Sequence, residues 1–243
     1  MSKRLKFQGV ALVTGGAKRI GKSLCLSLSA IGYKIALHYN TSGVEAQRVA
    51  DTIRRNGGTC ELFPCDLCDS RQTSELIPRI LKKFSRLNVL INNASVFDPA
   101  TIMNFDGRSL DRHFAVNFKA PYVLTACFAK LCKKGNIVNL LDAHIIHNKT
   151  SYTNYLLSKK ALCEFTKLSA VELAPHIRVN GIAPGLIFPP IGAKSGYLEG
   201  LAKKVPLKRK GDVTQIAQSV KFLLDNPYLT GQIIFNDGGE HLI

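Results

Sequence analysis

Short apolar, β-branched runs alternate with longer stretches of helical period along nearly the whole chain. Runs at 10–14, 34–39, 59–65, 88–92, 136–141, 177–182 and 233–235 read as strands. Stretches at 19–31, 44–56, 71–84, 110–117, 120–131, 155–173 and 213–224 read as helices. Such alternation predicts a parallel sheet with helices on both faces. The strand runs are largely apolar, which fits strands covered on both sides. Right-handed crossovers make the fold class a Rossmann-like, doubly wound α/β sheet of about seven strands. The 243 residues can bury the core of a single domain without metals or disulfides. No repeat, low-complexity tract or Pro/Ser-rich linker divides them. Ligands of such sheets bind beyond the carboxyl ends of the strands, so chemistry is expected just after strands one, two, four, five and six.

Composition removes several classes of function. The seven cysteines are odd in number and scattered, which predicts reduced thiols. Cys65 and Cys68 form a C-x-x-C with Cys60 nearby, but no fourth ligand stands at a suitable spacing, so no metal site is expected. The net charge of +16 is dispersed, with short clusters such as Lys208-Arg209-Lys210 and no basic stripe interleaved with aromatics. Attraction of an anionic cofactor or substrate accounts for it without nucleic acid. No apolar run reaches the roughly 20 residues of a membrane span. The basic segment 1–8 is too short for a signal peptide before the first strand begins. The expected location is cytoplasmic, off the membrane.

After the first strand comes Thr14-Gly15-Gly16-Ala17-Lys18-Arg19-Ile20-Gly21. Glycine allows the tight turn and lets the backbone approach a pyrophosphate, and the following helix offers free N–H groups. Position between a strand and a helix strengthens the reading as a dinucleotide site. A carboxylate at the end of strand two would bind ribose hydroxyls and repel a 2′-phosphate. Here stand His38, Tyr39, Asn40, Thr41 and Ser42, with Lys18 and Arg19 nearby, which favours NADP(H). Ser42 also suits the N-cap of the next helix.

Thr14-Gly15-x-x-x-Arg19-x-Gly21, Asn92-Asn93-Ala94, Asn117, Tyr155-x-x-x-Lys159, Pro184-Gly185 and the closing Thr230-Gly231…Asp237-Gly238-Gly239 resemble, in order, the signature of the short-chain dehydrogenase/reductase family. The resemblance covers essentially the whole chain. It implies Asp66 and Leu67 beside the adenine, Asn93 and Ala94 beside the ribose, and Pro184, Gly185 and Leu186 beside the nicotinamide. It also implies a homotetramer joined through the helices at 120–131 and 155–173.

Tyr155 and Lys159, four residues apart, project from one helix face. A nearby ammonium favours the phenolate and should lower the tyrosine pKa from its usual value near 10. Tyr152 lacks such a partner, since Leu156 follows it four residues on. The family's usual serine, about thirteen residues before the tyrosine, is replaced by Asp142. A carboxylate suits proton relay or the gripping of an N–H-rich ring better than it replaces a hydroxyl donor. It would otherwise be a cap or turn residue. Arg19 in place of a glycine, Asp142 and Asn93-Ala94-Ser95-Val96-Phe97 together resemble the pteridine reductases and dihydromonapterin reductases. That resemblance implies a pterin sandwiched between nicotinamide and Phe97, with Arg19 and Ser95 touching pterin or phosphate. The implied reaction is NADPH-dependent reduction of a ring C=N, with Asp142, Tyr155 and Lys159 catalytic. Residues 188–204 read as the substrate loop. A general carbonyl reductase, for example of 3-oxoacyl thioesters, is the alternative enzyme, and Asp142 counts against it. A non-catalytic dinucleotide- or nucleic-acid-binding protein is the alternative of another class, opposed by the intact Tyr155/Lys159 pair.

Overall fold

The computed structural model describes residues 8–190, 192 and 195–243. The basic residues 1–7 and positions 191, 193 and 194 of the expected substrate loop lie outside them. Seven strands form one sheet: β1 Gly9–Val13, β2 Tyr33–Tyr39, β3 Cys60–Pro64, β4 Val89–Asn92, β5 Gly135–Leu140, β6 Ile177–Pro184 and β7 Ile233–Asn236. Their order is β3-β2-β1-β4-β5-β6-β7, and every pairing is parallel. The chain winds outward from β1 and returns to β4, so the strand order reverses between these two, where the register sets Leu12 beside Leu90.

Side-chain alternation along the strands splits the core between the two faces. Ala11, Val13, Ile35, Leu37, Ile91 and Val138 pack under α1 (Arg19–Ala30), α2 (Gly43–Arg55) and α8 (Val213–Asp225). Val10, Leu12, Ala36, Leu90, Ile137 and Val179 pack under α3 (Ser70–Phe84), α5 (Ala120–Cys132) and α6 (Thr153–Glu172). Each such side chain, fully buried, contributes on the order of 1.5–3 kcal/mol if Val, Leu or Ile.

Three elements depart from the sequence expectation. The stretches at 110–117 and 120–131 are one continuous rod: α4 (Gly107–Phe114), a π turn (Ala115–Lys119) and α5. Pro121 has no N–H to give the Asn117 carbonyl, and the chain widens by a π turn at that point. The 188–204 segment is not all loop, for α7 (Tyr197–Ala202) lies within it, burying Leu198 and Ala202. β6 runs two residues beyond 182 because Pro184 still pairs with Asn236 of β7. No helix among the described residues is long and apolar enough to cross a membrane.

Candidate active site

A cavity of about 920 Å³ opens at the carboxyl ends of the strands, across the point where their order reverses. Its floor is the turn after β1. Gly15, at φ +64, would set a Cβ 3.0 Å from Ala94 Cα, and a Cβ on Gly21 would fall 2.1 Å from the Gly15 carbonyl oxygen. The turn closes on itself only with bare backbone there. Lys18, the N-cap of α1, supplies no capping side chain, and Arg19, Ile20 and Gly21 line the cavity. A first helical turn without a side-chain cap, beside a glycine cradle, fits a phosphate group.

Buried side chains hold that turn from behind. His38 accepts from the Gly15 N–H at Nδ1 (3.0 Å), and Nε2 lies 3.0 Å from the Cys65 carbonyl, to which it donates. Burial pushes this imidazole down to about 4, so the ring is neutral and its polar atoms are committed to the fold. Thr14 Oγ1 accepts from the Asn93 and Ala94 amides at 2.9 and 3.0 Å. Asn93 Nδ2 donates to the Thr14 carbonyl at 2.7 Å. The turn after β1 and the start of the loop after β4 are thereby one rigid unit.

The coupled titratable side chains lie across the cavity. Asp142 follows β5 and caps a 3-10 turn (Ala143–Ile146) by accepting the His144 N–H at 2.8 Å. Cap and site residue are therefore the same side chain. Its other oxygen, Oδ2, accepts the Tyr155 hydroxyl at 2.7 Å. About a fifth of the Asp142 side chain stays accessible, and the residue lines the cavity. Burial works to raise its carboxyl, but hydrogen bonds and charge from His144, with the Tyr155 hydroxyl, hold it below the usual range. Tyr155 goes the opposite way from the sequence expectation. Burial first, and the Asp142 carboxylate second, push its phenol well above 10. Lys159 is 5.8 Å from the centre of the Tyr155 ring, but its ammonium donates to the Leu140 carbonyl at 2.6 Å. Burial pushes Lys159 down to about 8 against the pull of Asp142. Burial, seconded by the Asp142 carboxylate, thus reverses the effect expected of the lysine.

Aromatic rings form the outer wall. Phe97 stacks on Tyr152, with centroids 4.3 Å apart and planes at 10°, and meets Tyr155 edge-on at 4.6 Å. Tyr152, set aside in the sequence for lacking a lysine, is thus a wall residue. Arg19 takes φ 49, a left-handed conformation that costs a side-chain-bearing residue about 1–2 kcal/mol. Its guanidinium donates to the Pro189 carbonyl and lies 4.9 Å from the Phe188 ring centroid. The strained residue thereby ties the glycine turn to the segment after β6.

Most residues singled out in the sequence meet at this cavity. Lys18, Asn40, Asp66, Leu67 and Ser95 line it, as do Pro184, Gly185 and Leu186. Three do not. Tyr39 packs against Gly43, and Ser42 sits at the N-cap of α2 without a side-chain capping bond. Asn117 is buried behind the wall, where it bonds the Val96 backbone and donates to Ser158 Oγ at 3.0 Å. The end of β2 carries no acid, yet Glu45 from the first turn of α2 pairs with Lys18 at 3.0 Å. Strand three also contributes, through Asp66 and Leu67. Two further residues escaped sequence reading. His144, two residues after Asp142, bonds it at 2.8 Å, and Glu240 arrives from the C-terminal 3-10 turn (Glu240–Leu242). The short spacing could have flagged His144, whereas no sequence pattern marks Glu240. Among the described residues no group of His, Cys, Asp and Glu is arranged to hold a metal ion.

The family model described as Enoyl-(Acyl carrier protein) reductase matches residues 15–241. Pteridine reductase 1 of Leishmania tarentolae is 32% identical over 278 residues, covering 96% of this chain and 96% of its own. A 3-oxoacyl-(acyl-carrier-protein) reductase of Synechocystis sp. is 31% identical over 237 residues, covering 95% and 96%. The crystal structure of FolM alternative dihydrofolate reductase 1 from Brucella canis, complexed with NADP, superposes with a TM-score of 0.94 at 33% identity, covering 100% of this chain and 97% of its own.

Proposed function

The chain belongs to the short-chain dehydrogenase/reductase family, and we propose that within it the protein is an NADPH-dependent pterin reductase. The observation that carries this reading is the Asp142 carboxylate on the Tyr155 hydroxyl at 2.7 Å, inside a cavity walled by Phe97. The NADP bound in the related Brucella canis structure and the glycine cradle support the cofactor. Backbone at Gly15, Ile20 and Gly21 would hold its pyrophosphate. Lys18 and Asn40 would hold the 2′-phosphate, Asp66 and Leu67 the adenine, Asn93, Ala94 and Lys159 ribose, and Pro184 to Leu186 the nicotinamide. When bound, the reduced nicotinamide supplies a hydride to a ring C=N.

The chain's own residues manage the proton. Burial and Asp142 keep Tyr155 as a neutral, loaded phenol, and its Oη proton passes to the ring nitrogen as the neighbouring carbon is reduced. Lys159, behind the ring, stabilises the phenolate left by that transfer. Asp142 offers acceptor oxygens to the N–H edge of a pterin, which a serine hydroxyl would serve less well. Ser95 and Arg19 border the same space, and Phe97 supplies an aromatic surface for a flat ring. An assembly through α5 and α6 completes the proposal: Tyr122, Leu168 and Val171 leave apolar side chains exposed there.

The test is NADPH oxidation with dihydropterins, dihydrofolate and a 3-oxoacyl thioester side by side. Similarity to the Synechocystis 3-oxoacyl reductase favours the thioester as the second reading. Turnover of a pterin or folate, faster with NADPH than with NADH, is expected. Turnover of the thioester alone would overturn the pterin reading. Asp142→Ser should cut pterin turnover at least about a hundredfold.

A further inference from the structure

Three hydrogen-bonding groups stand in line behind the Tyr155 hydroxyl. Asp142 Oδ2 takes the phenolic proton, and Oδ1 faces His144 Nδ1 at 2.8 Å. The other nitrogen of that ring, Nε2, lies 3.0 Å from Glu240 Oε1. Both of these groups are carboxylates, which accept and do not donate when ionised, and the Lys149 ammonium also lies against Nε2. A neutral imidazole carries one N–H and satisfies one of them, while an imidazolium satisfies both. We propose that His144 is a positioning residue of the active site: as an imidazolium bridging Asp142 and Glu240, it keeps the Asp142 carboxylate ionised and its second oxygen turned to Tyr155. The C-terminal turn carrying Glu240 is then part of the catalytic apparatus. This inference rests on the reading of Tyr155 as proton donor.

The groups around the ring agree with the charge. Asp142 comes from the end of β5, and beyond it lie Tyr155 and Lys159 of α6. Glu240 closes the far side. The His147 ring stands 6.1 Å away, centre to centre, and the Lys149 ammonium lies against Nε2, 4.0 Å from Glu240 Oε1. Lys149 opposes a charged ring, but two carboxylates in direct contact outweigh one exposed ammonium. Partial burial pulls the imidazole down, and its bonds to Asp142 and Glu240 overcome this and push it up to about 9. Glu240 Oε2 is buried with no hydrogen-bond partner among the described residues. An unpaired buried oxygen is costly, and a charge held against His144 offers a reason to keep it.

The ring can be followed by NMR in the full chain saturated with NADP+, with His144→Gln assigning its resonance among the six histidines. A titration near 9 in the parent protein is expected, falling by at least one pH unit in Glu240→Gln. His144→Gln should lower kcat at least about tenfold with little change in pterin KM. The acidic limb of its kcat profile should move to higher pH, because Asp142 loses its cation. If His144→Gln does not fold, the same shift in that limb is required of Glu240→Gln. A ring titrating at 6.5 or below, or a variant with the parent kcat and pH profile, overturns the proposal. Tyr155→Phe separates the two readings. If it binds NADPH but does not turn over while His144 titrates ordinarily, the positioning role falls and the proton donor stands. Turnover of Tyr155→Phe at the parent rate removes the donor, and with it the inference.

Discussion

Arg19 states the balance between stability and function most clearly. A glycine at φ 49 would be unstrained, yet the chain places there an arginine whose guanidinium reaches Phe188 and Pro189. Strain of this kind persists where the surroundings impose it, and it clusters at functional sites. Arg19→Gly should therefore shift the stability of the cofactor-free protein by no more than about 1–2 kcal/mol, because the relief of strain is offset by the lost ring contact, the lost bond to Pro189 and the entropy of glycine. The same variant should raise pterin KM at least about tenfold, read from steady-state kinetics beside urea unfolding. A loss of stability with unchanged KM would mean that the arginine serves the fold. Tyr155 and Lys159 were legible as a pair from their spacing. The direction of the Tyr155 shift was not, because it depends first on the burial of the phenol and then on Asp142, which is hydrogen-bonded to it while the lysine ammonium is bonded to Leu140.

Secondary structure was read well where burial is two-sided and continuous, as in β1, every residue of which is buried. It was read less well where a proline decides, and the role of a buried polar network was not legible at all. Asn92 Nδ2 donates to Asn139 Oδ1 at 2.8 Å, and Asn139 Nδ2 donates to Thr166 Oγ1 at 2.8 Å. This buried chain joins β4 and β5, which lead into Asn93 and Asp142, to α6, which carries Tyr155. The runs at 88–92 and 136–141 are legible as strands despite their asparagines, but what those side chains hold together is not legible until their partners are known. Asn139→Ala would leave both neighbours short of a partner and open a cavity, so a loss of about 2–4 kcal/mol is expected in urea unfolding. A loss under about 0.5 kcal/mol would show that water or repacking replaces the network. The π turn at Ala115–Lys119 follows the same logic, since Pro121 dictates it locally and only the buried Asn117 bonds to Val96 and Ser158 give it a purpose.

In the molecule as a whole, two histidines bound the pH range of stability. His38 is buried neutral, with its pKa lowered from 6.5 to about 4. The unfolded chain takes up that proton first, so stability is intact above 6.5 and falls as pH drops toward 4. His144 is raised from 6.5 to about 9, so its contribution is intact below 6.5 and is lost as pH rises through 9. Urea midpoints measured across pH 4–9 should fall on both sides of a maximum near 6.5, and His144→Gln should flatten the alkaline side. A parent profile flat from 6.5 to 9 would contradict the charged bridge. Parallel strands, crossovers, the glycine turn and the Tyr155/Lys159 pair were all written in local patterns, since periodicity, turn chemistry and helical spacing act over a few residues. The reach of Arg19 to Pro189, the hold of His38 on Gly15 and the arrival of Glu240 beside His144 were not, because they join positions 170, 23 and 96 residues apart. Electrostatics at the site is a property of distances, and those exist only once the sheet has brought its strand ends together.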